Sequence, residues 1–216
     1  LLDLDLPVTY YLPEAHTGTA TLRHLLSHTG GLPHDIPREV LPYDEHTTEA
    51  RIAEASLALE PVAAPGERVE YSNAGITVAA LAVVRATGLP FPKALQALVL
   101  EPLEVEAYLG VDPPRPALYV PGNYGHHTGA PTEPFNSSFW LHLAQPYGGL
   151  VTTAAGMLDL ACAFLPGTGF LPRELLADAL TDQTNGVPGR LMGMMSGQPF
   201  PWGLGPRGRG GPTSCP

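Results

Sequence analysis

Residues 65–75 read Pro65-Gly66-Glu67-Arg68-Val69-Glu70-Tyr71-Ser72-Asn73-Ala74-Gly75, and three local structures follow one another within them. Pro65-Gly66 is a turn signal, Arg68 to Tyr71 is a short extended piece, and Ser72 or Asn73 can cap a helix that begins near Ala74. That helix carries Ile76, Ala79, Ala80, Val83 and Val84 and meets Gly88 as its stop. It is apolar around most of its circumference, which places it at the centre of a core rather than on its surface. Tyr71 and Asn73 stand two apart in the extended piece and therefore face the same way. A phenol able to pass a proton and a carboxamide able to hold an amide group then project together from a rigid helix entrance. Taken alone a Tyr-x-Asn triplet is common, and capping by Ser72 or Asn73 accounts for it without any chemistry.

Working upstream, Thr21 predicts the cap of a short helix with Leu22, Leu25 and Leu26 at i, i+3 and i+4, and Gly30-Gly31 supplies a left-handed stop after His28. Residues 47–59 predict a second helix with Ile52, Ala55, Ser56 and Leu59 on one stripe, closed by Pro61, Pro65 and Gly66. Residues 1–13 alternate Leu with Asp and read as an extended segment closed by Pro13.

Downstream, Phe91, Leu95, Leu98 and Val99 form an amphipathic helix ended by Pro102, and short strands are expected at 108–111 and 118–120. Thr152 or Thr153 caps a helix with Met157, Leu160, Ala161 and Phe164 on one face, and Cys162 reads as core. Pro172 starts a last helix running to about Asp182. Residues 186–216 hold nine Gly and six Pro and form a poorly defined end. Helices dominate, and the strands are too short and too far apart to close a sheet by themselves.

The composition bounds what such a chain can be. With 216 residues, 44% hydrophobic and 15% charged, it reads as one globular domain able to bury a core without disulfides or a structural metal. Twenty-one acidic residues against eleven basic ones give a net charge of −10, the wrong sign for a nucleic-acid partner. No apolar run approaches the roughly 18 residues that a membrane span requires. The chain opens Leu1-Leu2-Asp3 without an initiator Met, so a targeting segment upstream is out of view and the compartment, exported or cytoplasmic, stays open.

Candidate chemistry is sparse within the chain. Its one lysine, Lys93, follows Pro90 by three positions, so no Ser-x-x-Lys nucleophile pair occurs, and there is no Gly-x-Ser-x-Gly elbow. His24 and His28 have the i, i+4 spacing of two metal ligands, with His34 and Asp35 as further candidates. Leu25, however, stands where a zinc hydrolase has its glutamate. A helix end at which His28 meets the terminal carbonyls is the simpler reading, and no metal is expected. His126-His127 reads as an exposed turn.

An ordered series of motifs resembles the penicillin-recognising serine hydrolases, the family of class C β-lactamases, D-alanyl-D-alanine carboxypeptidases and related esterases. "LLDLDLPVTYYLPE" at 1–14 resembles the segment after the family's nucleophile helix, and "TLRHLLSHTGGLP" at 21–33 its most recognisable helix and turn. Residues 65–75 resemble its Tyr-x-Asn motif, and "ALVLEPL" at 97–103 a helix end. "PYGGLVTTAAGMLDLACAFL" at 146–165 resembles its late glycine turn and helix, and "WGLG" at 202–205 a strand of its sheet.

The resemblance implies an α/β (α+β) fold of the β-lactamase/transpeptidase type, here mostly the helical region with part of an antiparallel sheet. Residues 1–216 then form a partial domain truncated at both ends. It implies a catalytic role for Tyr71 and a substrate-binding role for Asn73, with Ser72 between them, on a small-molecule or peptide acyl substrate and with no cofactor. The family's Ser-x-x-Lys pair would precede Leu1, and its late Lys- or His-x-Gly strand would follow Pro216. His28-Thr29-Gly30 and His127-Thr128-Gly129 imitate that strand at the wrong places in the order. The expected function is therefore acyl-enzyme hydrolysis of an ester, amide or β-lactam by a longer parent, the chain alone being inactive. The rival is a non-catalytic relative that keeps the cleft without the nucleophile.

Overall fold

A computed structural model describes residues 2–120, 132, 134–191, 194–199 and 201–205. Its centre is the apolar helix that the sequence predicts. Helix α1 spans Val8–Tyr11, α2 Leu22–Leu26, α3 Glu49–Leu57 and α4 Asn73–Thr87. α1, α2 and α3 all pack on α4, whose Val78 and Ala82 are fully buried with Val8, Leu25 and Ile52 around them. Each of the Val, Leu and Ile side chains contributes about 1.5–3 kcal/mol by leaving water. α4 starts where Ser72 Oγ accepts the Gly75 N–H at 2.8 Å, and it stops at Gly88 with φ +70°.

The predicted stripe of α3 is buried at all four positions, Ile52, Ala55, Ser56 and Leu59, and Thr48 caps the helix. At α2, Thr21 caps as expected, with an unusual partner. His24 takes the place commonly held by Glu, its Nδ1 accepting the Thr21 N–H at 3.2 Å while Thr21 Oγ1 accepts the His24 N–H. The stop differs from expectation. Ser27 is the C-cap and His28 itself turns left-handed at φ +57°, with Gly31 following at +78°.

Residues 1–13 are not extended throughout. Pro7 bridges Thr21, then Val8–Tyr11 coil into α1, because Val8 and Leu12 gain a place in the core that an extended strand would deny them.

α5 spans Phe91–Leu95 and runs into a π-helical turn, Gln96–Leu100. That turn rotates the expected stripe, so that Ala94 and Leu100 are buried while Leu98 is exposed. α6 spans Ser138–His142, α7 Ala154–Cys162 and α8 Arg173–Leu180. Thr153 is the cap of α7, accepting the Gly156 N–H. Met157 and Leu158 on α7 are exposed and Cys162 is half-buried, not core, since α7 lies at the margin of the described structure with few layers against it.

Strand content is small. β1 spans Val69–Glu70, β2 Ala107–Tyr108, β3 Val151–Thr152, β4 Pro188–Leu191 and β5 Met194–Pro199. β2 and β3 pair antiparallel, Ala107 opposite Thr152, and β4 pairs antiparallel with β5 and parallel with β1, Val69 opposite Gly189. The strand expected at 108–111 shrinks to Ala107–Tyr108. Residues 118–120 form none: Leu118 is 90% exposed and the Val120 N–H goes to Asn136 Oδ1 instead of a ladder. Residues 202–205 also stay outside a sheet. Trp202 accepts the Gln183 N–H and Leu204 donates to Ala179, so this piece is spent on α8.

Arg23 ties the early and late parts of the chain together, its guanidinium reaching Asp5 at 2.7 Å and Asp178 at 2.8 Å. Among the described residues no single helix is long and apolar enough to cross a membrane.

Candidate active site

Residues 28–31 run beside residues 62–70 as an irregular ladder. The His28 carbonyl accepts the Glu70 N–H at 2.7 Å, the Thr29 carbonyl the Gly66 N–H at 2.8 Å, and the Gly31 carbonyl the Val62 N–H at 2.8 Å. β4 holds the opposite edge of β1. The motif segment is thus fixed from two sides before it enters α4.

Tyr71 is half-buried among rings. Its ring lies 4.5 Å from that of His28, 5.5 Å from that of His34 and 5.9 Å from that of Trp202. Burial raises the phenol's pKa and the nearby Asp35 charge adds to this, so Tyr71 holds its proton at neutral pH. Ser72 is buried at the cap of α4, its hydroxyl donating to the Pro33 carbonyl at 2.6 Å. Asn73, the first residue of α4, donates from Nδ2 to Asp35 Oδ1 at 2.7 Å and from its backbone to the His34 carbonyl at 2.8 Å. A carboxylate only accepts, so this contact also fixes which end of the carboxamide is nitrogen.

His34 and Asp35 sit between the two motif side chains. His34 Nδ1 meets Asp35 Oδ2 at 2.7 Å, and that hydrogen bond raises the imidazole's pKa. Burial alone would raise the Asp35 carboxyl, yet the hydrogen bonds from His34 and Asn73 together hold it below the usual carboxylate range. His34 Nε2 is buried with no hydrogen-bond partner.

A narrow cleft beside Asn73, too tight to hold a water, is lined by Asp35, Tyr43, Thr77 and Tyr147. The larger cavity, about 890 Å³, lies elsewhere, among Tyr108, Leu118, Phe135, Trp140 and Met157, and shares only Tyr147 with that cleft.

Tyr71 and Asn73 therefore meet the same loop, 33–35, from positions two apart. The i, i+4 spacing of His24 and His28, with His34 and Asp35 as further candidates, offers a metal set in the sequence. Instead His24 caps α2, His28 turns toward Ser72 and His34 toward Asp35, and among the described residues no three His, Cys, Asp or Glu side chains converge as metal ligands. His126-His127 lies outside the described residues. Trp202, expected in a strand of the sheet, closes the ring cluster instead. Asp182 Oδ1 accepts the Trp202 backbone N–H and the Trp202 carbonyl accepts the Gln183 N–H.

His28 gives a pH-dependent prediction. Burial, with the His34 charge adding, pushes its pKa from 6.5 down to about 4. An unfolded chain takes up this proton near pH 6.5, so between 6.5 and about 4 the unfolded state binds more protons and stability falls as pH falls. The expected loss across that window is on the order of 3 kcal/mol, with no contribution above it. Urea unfolding at pH 7 and pH 4.5 should show this loss in the wild type and not in His28→Asn. Equal losses in both proteins would contradict it.

The site is thus a central helix whose entrance carries a Tyr-Ser-Asn turn against a His-Thr-Gly-Gly loop. The sequence profile of the Beta-lactamase family matches residues 1–214, and the chain belongs to that family. The chain is 30% identical to Esterase EstB of Burkholderia gladioli, across 86% of this chain and 56% of that protein. Its fold is similar to the D-stereospecific amidohydrolase of Streptomyces sp., with TM-score 0.66, 22% identity, and 94% and 63% of the two chains covered. It is likewise similar to the D-amino acid amidase of Ochrobactrum anthropi SV3, with TM-score 0.65, 22% identity, and 93% and 59% covered. The chain thus spans little more than half the length of the esterase it matches.

Proposed function

We propose that the chain supplies the proton-transfer and substrate-holding part of a serine acyl-transfer hydrolase acting on an ester, amide or β-lactam. The observation that carries this reading is the pairing of Tyr71 with Asn73 at the rigid entrance of α4, each held in place from the 28–35 loop. In the proposed reaction a serine hydroxyl from a Ser-x-x-Lys segment preceding Leu1 attacks the acyl carbonyl. Its proton passes to the neighbouring base, the leaving group departs with a proton, and water hydrolyses the acyl-enzyme.

A phenol whose pKa is raised is protonated at neutral pH, so Tyr71 enters the reaction as the protonated form, a donor for a departing group. To accept the serine proton Tyr71 would need a cation beside it, which the lysine of that segment would provide. Asn73 has one amide N–H engaged by Asp35, which leaves its other N–H for a substrate carbonyl and its oxygen for the lysine.

The 216-residue chain alone is then expected to form no covalent adduct. The test is incubation with a fluorescent β-lactam and an activated ester, followed by intact mass measurement. A stable acyl adduct on any serine of this chain would overturn the proposal.

A further inference from the structure

We propose that His28 is a positioning residue for Tyr71, holding the motif segment through both its backbone and its ring; this rests on the proton-transfer role proposed for Tyr71. His28 is 4% exposed in the left-handed region at φ +57°, a conformation that non-glycine residues adopt uncommonly, Asn and His more readily than most. That conformation lets one residue make two contacts with consecutive parts of the motif. Its carbonyl accepts the Glu70 N–H at 2.7 Å and its Nδ1 accepts the Ser72 N–H at 3.1 Å. Tyr71 lies between those two anchors.

A backbone N–H can only donate, so Nδ1 must carry the lone pair and the ring proton sits on Nε2. The ring so fixed lies 4.5 Å from the Tyr71 ring and 4.6 Å, edge-on, from that of Trp202. With Ser72 committed as the cap of α4, the Tyr71 backbone is bounded by fixed residues before and after it, and its ring is confined by His28, His34 and Trp202. Small displacements of a catalytic group cost large factors in rate, so the acceptor at Nδ1 acts on turnover through Tyr71 and not by touching substrate.

Three substitutions separate this role from general packing. Asn tolerates the left-handed backbone and places an oxygen where Nδ1 stood, Gln carries its acceptor one bond too far, and Leu has none. In the protein extended to include the nucleophile segment, His28→Leu and His28→Gln are expected to lose at least about tenfold in kcat with KM changed by less than about twofold, while His28→Asn stays within about threefold of wild type. In the 216-residue chain, hydrogen exchange at the Ser72 amide should be at least about tenfold faster in Leu and Gln variants than in wild type and Asn.

If the Leu variant does not fold, the Asn and Gln pair carries the test. Asn as impaired as Gln, or Gln as active as wild type while Tyr71→Phe is impaired, overturns the positioning role. Tyr71→Phe with wild-type turnover instead removes the proton-transfer reading itself, and the positioning role with it.

Discussion

Tyr71→Phe in the extended protein is expected to lower kcat by about 10²–10⁴, equivalent to about 3–5 kcal/mol in the barrier, at an unchanged melting temperature. The substitution removes only the hydroxyl. The ring contacts with His28, His34 and Trp202, which account for how the side chain is packed, remain available to phenylalanine. A folding defect would lower activity together with stability, whereas loss of a transition-state proton transfer appears in kcat more than in substrate binding. Paired thermal melts and steady-state kinetics decide between them. A variant with wild-type turnover would leave Tyr71 as packing.

Gly31→Ala is expected to have the largest effect on stability. At φ +78° a Cβ is already strained, and here it would run into the Ala63 backbone carbonyl, which cannot move without disturbing the segment leading to the motif. The Gly31 carbonyl also accepts the Val62 N–H, so a shift of the loop would break the ladder that holds residues 62–70. The expected cost is at least about 3 kcal/mol, a large share of the stability of a domain this size. Chemical denaturation of this chain measures it. A change below about 1 kcal/mol would show that the 28–31 loop is not rigid against the motif segment.

What the sequence made legible was whatever local physics decides. Thr21, Ser72 and Thr153 each cap a helix because a hydroxyl beside free N–H groups has the same use in any context. The apolar circumference of α4 forced it to the centre, and the Tyr71-Ser72-Asn73 turn followed from its entrance.

What stayed hidden depends on contacts far apart in the chain. His28 and His24 share a helical spacing, but the left-handed φ of His28 turns its ring away from the helix face and toward Ser72, and nothing local announces that. The roles of His34 and Asp35 appear only once the 33–35 loop is laid beside Asn73. Trp202 comes to the site through Arg23, Asp178 and α8, a chain of contacts reaching from residue 5 to residue 202. The strand expected at 118–120 failed for a related reason: a short apolar run becomes a strand only where a partner offers a ladder.

The central claim is that Tyr71 and Asn73 serve a serine supplied from outside this chain. The measurement that tests it most directly is peptide mass mapping of the extended protein after brief reaction with an activated ester. The account predicts one acylated serine, located before Leu1, whose labelling slows sharply in Tyr71→Phe. An acylated serine within residues 1–216, or labelling at an unchanged rate in that variant, would contradict it.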